Sequence, residues 1–365
     1  MCSIVDVNSS SEISRTALTS AAARAAHLLV DHEPLIFTDT LAQALLGERA
    51  DELIDYHRKF GDHPVLAGAR TEVLCRSRFT EGLLAESGLA QYVIVGADLD
   101  TFALRMHRDA DAPRTVYEVD HPASQEWKRH AIEAAGIVPH SAPTFAPADL
   151  EHDSLLDALA AAGFDLARPS FVGLLGVSMY LTGSALARVA AELGTLPTGS
   201  QVVLDYMLVP SLRDEAGQAY AEAVGAAVAE DGEPWLSFYA PEDLTSIVVG
   251  DGFTTVRHVP YESSIDPNLW HRTAPTPSPR CVSPPCSTPP GNPSPASLHP
   301  VTPHSAPRTP RHRAPRTHAP RHRAPRTPHP RTPSPRTRAP RHHAPRTPHP
   351  APVSAPAAAR SAPRL

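Results

Sequence analysis

Five short apolar runs alternate with helix-forming stretches through the middle of this 365-residue chain. The runs cover residues 91–95, 115–119, 144–146, 170–175 and 201–206. Gly136, Gly163 and Gly194 fit the ends of the intervening helices, because glycine readily adopts the left-handed conformation that closes a helix. Repeated alternation of strand and helix is typical of a doubly wound α/β fold. The sequence therefore predicts a mostly parallel sheet with helices on both faces.

Helices are expected on both sides of this alternating region. Ser14 can cap the first helix, in which apolar residues recur at helical spacing: Leu18, Ala22, Ala25 and Leu29. Two further helices, at 39–46 and 69–87, complete a helical N-terminal lead-in, and Gly88 is expected to end the second of them. After the fifth strand we expect helices at 212–230 and 241–249, and one more strand at 253–259 near the edge of the sheet.

The C-terminal quarter of the chain has a different composition. Residues 274–365 hold 27 of the 41 Pro, 15 Arg and 9 of the 20 His, and they contain no Lys, Asp, Glu, Phe, Trp or Tyr. Such a stretch buries too little apolar surface to offset its chain entropy. We therefore expect a flexible N-terminus at 1–13, a folded domain at 14–273 and a disordered tail at 274–365.

Charge divides the chain at the same boundary. Residues 1–273 carry a formal charge of −21 and the tail carries +15. An acidic folded domain is not expected to bind nucleic acid, whereas the basic tail can make weak contacts with polyanions. Four cysteines in a chain of this length do not form a disulfide framework, and no apolar run is long enough to cross a membrane. A cytoplasmic location is the simplest expectation.

A zinc-finger spacing occurs in the tail. Cys281, Cys286, His299 and His304 are separated by 4, 12 and 4 residues. Pro300 and Pro303 disfavour the helix that would carry the histidines, and few apolar residues are available to form a core. We therefore expect no metal site here.

Acidic side chains follow three of the predicted strands. Asp98 and Asp100 stand in the turn that begins at Gly96, Asp120 follows the second strand and Asp149 follows the third. The carboxyl ends of parallel strands meet at one edge of the sheet, where ligands bind in such folds. This turn lacks the fuller glycine pattern of a dinucleotide site, and its aspartates would repel phosphates. A positively charged nucleoside such as S-adenosylmethionine suits it better, although single glycines and aspartates also serve as turn residues and helix caps.

Four segments together resemble a known family. They are Ser14-Arg15-Thr16-Ala17, the run 91–101 (QYVIVGADLDT), the run 116–122 (VYEVDHP) and the run 175–181 (LGVSMYL). The chain is similar in these segments to the bacterial S-adenosylmethionine-dependent methyltransferases related to leucine carboxyl methyltransferase. The resemblance covers roughly residues 14–273 and implies a class I methyltransferase-like fold.

The resemblance implies roles for particular residues. Asp120 and the Asp149-Leu150 pair would contact the cofactor S-adenosylmethionine, and the turn at Gly96 would lie against its methionine portion. An arginine of the preceding helix would bind the cofactor carboxylate; Arg76 matches best, and Arg70 and Arg78 remain alternatives. The family usually has a second glycine where this chain has Asp98, and we expect the aspartate to reduce cofactor affinity.

The expected function is methyl transfer to a hydroxyl or carboxyl oxygen of a small molecule. His121, Tyr180 and Tyr206 lie at predicted strand ends, but none receives a catalytic role. The alternative is a non-catalytic methyltransferase-like binding protein whose basic tail contacts polyanions. The resemblance ends at Thr273, before the family's last strand, so we expect that strand to be missing and suspect a shifted reading frame near codon 274.

Overall fold

A computed structural model describes residues 13–106, 114–270 and 296–299 of the chain. The seven strands in this part of the chain are β1 (Gln91–Val95), β2 (Thr115–Asp120), β3 (Thr144–Pro147), β4 (Phe171–Leu174), β5 (Gln201–Tyr206), β6 (Arg257–Pro260) and β7 (Ala296–His299). They form one sheet in the order β3-β2-β1-β4-β5-β7-β6. The first five strands are parallel to one another, as the sequence predicts.

Ten α-helices surround this sheet in the described residues. They are α1 (Arg15–Val30), α2 (Ala42–Leu45), α3 (Ala50–Phe60), α4 (Pro64–Ser87), α5 (Phe102–Arg105), α6 (Pro122–Ala134), α7 (Leu155–Ala161), α8 (Gly183–Gly194), α9 (Glu215–Glu230) and α10 (Pro241–Gly250). The Ser14 side chain accepts a hydrogen bond from Ala17 N at the start of α1, and Gly88 closes α4 with a φ of 65°. Both ends were expected from the sequence. No described helix is long and apolar enough to cross a membrane.

Alternate residues of each central strand enter cores on opposite faces of the sheet. Val93 and Val95 of β1 pack in the cluster that includes residues of α7, α8 and α10, whereas Tyr92 and Ile94 pack with Phe79 of α4. Burial of both faces explains why the strands are continuous apolar runs. A third cluster joins α1, α2 and α3 to Leu99 and Leu104, just after β1. The helical lead-in is thereby fixed over the carboxyl end of β1.

The C-terminal part of the sheet corrects two expectations. β7 lies within the tail and pairs antiparallel with both β5 and β6, so a strand occupies the place where we expected one to be missing. β7 covers 296–299 of the segment predicted to be disordered, and the remainder of that segment, with Cys281, Cys286 and His304, lies outside the described residues. β6 begins at Arg257 and not at Phe253, because Phe253 is a buried residue of the turn that follows α10.

Candidate active site

The strand order reverses between β1 and β4, and the residues after these strands border a crevice. Gly96 follows β1 with a φ of 66°. A Cβ atom at this position would lie 2.3 Å from Cγ2 of Val177. Glycine is therefore required both by the backbone conformation and by the available space.

Asp98 has a φ of 37° and is the one non-glycine residue with a positive φ among the described residues. Its backbone N–H donates a hydrogen bond of 2.6 Å to Oδ2 of Asp120, which fixes this conformation. Burial and the neighbouring Asp120 carboxylate raise the pKa of Asp98 well above its usual range. The aspartate thus occupies a glycine-like conformation in the turn, as the comparison with the family pattern suggested.

Asp120 ends β2 and supports the turn from the neighbouring strand. Its Oδ1 accepts a hydrogen bond of 2.7 Å from His121 N, and its Oδ2 accepts the one from Asp98 N. Burial raises its pKa, although both backbone hydrogen bonds act in the opposite direction. The structure therefore brings Asp120 into direct contact with the Gly96 turn.

Asp149 and Leu150 lie after β3, on the far side of β2. Oδ1 of Asp149 accepts from Glu151 N at 3.0 Å, and Oδ2 lies 3.0 Å from Nδ1 of His152. Slight burial opposes ionisation, but the hydrogen bonds from Glu151 and His152 prevail and lower the pKa of Asp149. The Leu150 side chain packs into the core. These two residues continue the row of strand ends that Gly96 and Asp120 begin.

Arg76 of α4 reaches the ends of β4 and β5. Its Nη1 donates to Oδ2 of Asp205 at 3.1 Å and lies 3.5 Å from Oε1 of Glu72. A Cβ atom at Gly176 would lie 2.7 Å from Nη2 of Arg76, so the missing side chain of Gly176 makes room for the guanidinium. Burial alone would lower the pKa of Arg76, but Asp205 and Glu72 raise it, and the group stays charged.

The other two candidate arginines point elsewhere. Arg70 is buried and donates twice to Asp31, at 3.1 Å, and also to the carbonyl of Gly61. Arg78 donates to the carbonyl of Ile36 at 2.8 Å. Neither lines the crevice, whereas Arg76 does. The geometry thus favours Arg76 among the three alternatives.

A cavity of about 370 Å³ extends from the Gly96 turn to helix α9. Residues of α1, α3, α4 and α9 form its walls together with residues that follow β1 and β4. Its volume lies in the range typical of small-molecule sites. Arg76 and Gly96 line the cavity, and Asp120 contacts the Gly96 turn. Asp149 and Leu150 lie outside the cavity.

Comparison with known proteins shows the family. A family profile described as leucine carboxyl methyltransferase matches residues 17–194. The Bacillus subtilis protein YktD, named as an S-adenosyl-L-methionine-dependent methyltransferase, is 30% identical over 274 residues, which cover 68% of this chain and 88% of YktD. The chain belongs to the bacterial S-adenosylmethionine-dependent methyltransferases related to leucine carboxyl methyltransferase.

Further relatives carry the same description. The Mycobacterium tuberculosis H37Rv protein Rv3787c, also named as an S-adenosyl-L-methionine-dependent methyltransferase, is 33% identical over 206 residues, or 53% of this chain and 65% of that protein. A methyltransferase structure from Thermobifida fusca covers 83% of this chain and 100% of its own, with 17% identity and a TM-score of 0.47. The relatives give no support to the alternative of a non-catalytic binding protein.

S-adenosylmethionine is the cofactor of this methyltransferase, and the described residues fit it. Gly96 and Gly176 leave space that a side chain would fill, and Arg76 presents a charged fork suited to a carboxylate. Asp120 stands at the end of β2, where a carboxylate can accept hydrogen bonds from ribose hydroxyls. The acidic turn also suits the sulfonium charge.

Sequence reasoning missed Arg24, a second arginine in the cavity wall. Its Nε donates to Oδ2 of Asp39 at 2.8 Å, and its Nη2 donates to the carbonyl of Leu99 at 2.7 Å. Arg24 therefore ties the lead-in helix α1 to the turn after β1. A signal was present, since Arg24 is a single charge within an alanine-rich, otherwise apolar stretch of the helix.

Glu72 and Tyr220 were also missed, and they lie at the α9 end of the cavity. The Tyr220 hydroxyl donates to Oε2 of Glu72 at 2.6 Å and so joins α9 to α4. Because the two residues are 148 positions apart, no local pattern could pair them. Burial raises the pKa of Glu72 despite the opposing effect of Arg76.

The residues left without a catalytic role have distinct positions. Tyr180 lines the cavity of the methyltransferase, as does Trp235. Tyr206 is buried, and its hydroxyl lies 2.8 Å from Nδ1 of His258. His121 caps α6 by accepting a hydrogen bond from Ala123 N. Among these, Tyr180 is the one placed to contact a substrate.

Proposed function

We propose that this methyltransferase transfers the methyl group of S-adenosylmethionine to a hydroxyl or carboxyl oxygen of a small molecule. The cavity carries this proposal, because it connects the Gly96 turn to an apolar space beneath α9. Its volume of about 370 Å³ suits a cofactor and a small acceptor.

The cofactor-binding residues are proposed from their places around the turn. The Gly96 backbone lies against the methionine portion, and Arg76 binds its carboxylate. Asp120 accepts hydrogen bonds from the ribose hydroxyls. Asp149 and Leu150, at the next strand end, contact the adenine. The position of Arg76 in the cavity wall and the contact of Asp120 with the turn support these roles.

When bound, S-adenosylmethionine would supply a methyl group on a sulfonium, from which a neutral thioether departs readily. Alignment of the acceptor oxygen with that methyl then provides much of the catalysis, and the protein would achieve it by holding both partners in one cavity. A carboxylate acceptor needs no general base, whereas a hydroxyl acceptor must lose a proton. Leu66, Val224 and Val228 give part of the cavity wall an apolar surface.

Calorimetric titration of the full chain with S-adenosylmethionine is the primary test. We expect one site per chain, and about tenfold weaker binding in Arg76→Lys, since lysine keeps the charge near Asp205 but loses the planar fork. Arg78→Lys on the same helix is the matched control and should bind as the unmodified protein does. Absence of cofactor binding in the unmodified chain would refute the proposal.

Methyl transfer to small molecules is the second test. Labelled cofactor should deliver label to at least one member of a panel of small alcohols, phenols and carboxylic acids. Label found on added proteins and on none of the small molecules would refute the proposed acceptor class while leaving the cofactor site intact.

A further inference from the structure

The α9 end of the cavity carries one carboxylate in an apolar wall. Glu72 is 12% exposed and lies between the hydroxyl of Tyr220 and the guanidinium of Arg76. The apolar residues that also line the cavity include Leu66, Ala69, Val224, Val228, Met179 and Trp235. Glu72 and Arg76 are one helical turn apart on α4. Arg76 contacts the strand ends, and Glu72 lies one turn away, toward α9.

The cationic side chains of the described wall already have partners. Arg76 is paired with Asp205 and Glu72, and the proposed function assigns it to the cofactor carboxylate. Arg24 is bound to Asp39 and to the carbonyl of Leu99. The imidazole of His57, also in the wall, is kept neutral, because burial and the nearby Arg70 lower its pKa to about 4.

An acceptor carboxylate would therefore enter a poor environment. It would approach Glu72, a group of like charge, in a low-dielectric space, and the wall's cations would be engaged elsewhere. A hydroxyl both donates and accepts hydrogen bonds. It can donate to Glu72, or to the oxygen of Tyr220, whose own hydrogen is already donated to Glu72, and it adds no negative charge.

From this arrangement we infer that the methyl acceptor is an uncharged molecule with an apolar body and a hydroxyl group, and that this hydroxyl binds beside the hydrogen-bonded Glu72–Tyr220 pair, with the Glu72 carboxylate as the acceptor of its proton. The inference rests on the proposed function and narrows its acceptor from any small acid or alcohol to an alcohol or phenol. It assigns Glu72 and Tyr220 as acceptor-binding residues.

Three probes with the same skeleton test the inference by calorimetry, using the full chain with and without saturating S-adenosylhomocysteine. The probes are 4-propylphenol, 4-propylbenzoate and propylbenzene, which differ in the polar group alone. We expect 4-propylphenol to bind at least about tenfold more tightly than either of the others, a difference of about 1.4 kcal/mol. Equal or tighter binding of 4-propylbenzoate would overturn the inference, and so would failure of 4-propylphenol to bind at about 1 mM.

Two variants assign the effect to Glu72. In Glu72→Gln the advantage of 4-propylphenol over 4-propylbenzoate should shrink by about tenfold, because the like charge is removed. Glu86→Gln, an exposed position on the same helix, makes the same charge change away from the cavity and should keep the full advantage. If Glu72→Gln retains the selectivity of the unmodified chain, Glu72 does not bind the acceptor.

Cofactor binding is measured separately, so a chain that binds cofactor but prefers the benzoate refutes this inference and leaves the proposed function standing.

Discussion

Asp98 is held in a backbone conformation that glycine adopts more easily than aspartate, with a φ of 37°. The hydrogen bond from its N–H to Asp120 supports that conformation. The two carboxyl groups also share a poorly solvated space, where like charges oppose each other's ionisation. Backbone strain and electrostatic repulsion therefore coincide at one residue of the cofactor turn.

Asp98→Gly is expected to stabilise the fold and strengthen cofactor binding. It relieves the positive φ, worth about 1 kcal/mol, and removes a buried carboxyl group that competes with Asp120 for ionisation. Urea unfolding and calorimetric titration measure the two effects. Asp100→Asn is the control, because it removes a charge from the same turn and keeps the side-chain oxygen that accepts from Phe102 N. Weaker cofactor binding in Asp98→Gly would mean that the site depends on the aspartate.

Asp120→Ala is expected to weaken cofactor binding by about 1–3 kcal/mol, because ribose hydroxyls would lose their acceptor. The backbone N–H groups of Asp98 and His121 also lose their partner, which loosens the turn. Calorimetry gives the change in Kd. Asp157→Ala, on an exposed face of α7, should leave Kd unchanged. An unaltered Kd in Asp120→Ala would show that this carboxylate serves the fold alone.

At the scale of elements, helix α6 is attached to strand β2 by a buried ion pair. Lys128 Nζ donates to Oε2 of Glu118 at 2.6 Å, and both side chains are 1% exposed. Burial raises the pKa of Glu118 to about 7 even though Lys128 lowers it. The folded state thus holds a proton on Glu118 more tightly than the unfolded chain does, and this contribution to stability is lost as pH rises from about 4.5 through 7.

Lys128→Met is expected to cost about 3–5 kcal/mol of stability at pH 8, since it leaves a buried, unpaired carboxylate. At pH 5 the loss of stability should be much smaller, because Glu118 is then buried in its protonated, neutral form. Urea unfolding at both pH values measures the difference. The double variant Glu118→Gln, Lys128→Met should lose most of this pH dependence, and equal losses at the two pH values in Lys128→Met would contradict the expectation.

Helix α8 approaches the end of α10 so closely that a side chain cannot fit between them. A Cβ atom at Gly194 would lie 1.7 Å from the carbonyl oxygen of Asp251. Gly194→Ala is therefore expected to destabilise the domain by about 1–3 kcal/mol. Gly250→Ala, in α10 with open space around its Cα, should instead be neutral or slightly stabilising. Thermal unfolding of both variants checks this, and an unchanged Tm for Gly194→Ala would contradict it.

The strands were predictable because local patterns specify them, and the predicted fold class is confirmed. The lead-in was predicted less completely: α3 was missed, since it buries only Ala50, Ile54 and His57, and its aromatic residues Tyr56 and Phe60 are exposed. In the site, Gly96 could be found from the turn itself. Glu72, Tyr220 and Arg24 could not be assigned, because tertiary contacts between distant segments decide where they lie.

At the scale of the molecule, the sheet depends on a strand from the basic tail. β7 separates β5 from β6, so without it both strands would expose unpaired backbone groups. The described residues, β7 included, lie within one compact unit that ends before residue 309. A chain ending at residue 308 should therefore keep the stability of the full protein, whereas a chain ending at residue 273 should lose about 2 kcal/mol or more.

Urea midpoints of these two truncated chains test the role of β7. Equal midpoints would show that 296–299 adds nothing to the sheet. That outcome would support the hypothesis of a shifted reading frame, which predicts that a chain restored after codon 273 ends in a more stable strand.

The contacts that α1, in the cavity wall, makes with residues after α9 determine when the cavity can form during synthesis of the protein. Thr16 N donates to Oε2 of Glu233, and Arg15 pairs with Asp231, across 217 and 216 residues of chain. Contacts of such long separation form late in folding, because the intervening loop must first be closed. During synthesis on the ribosome, α1 emerges first, and more than 200 further residues must be added before its partners Asp231 and Glu233 exist. The cofactor site is therefore complete only after the domain from α1 to the turn after α9 has been synthesised and folded.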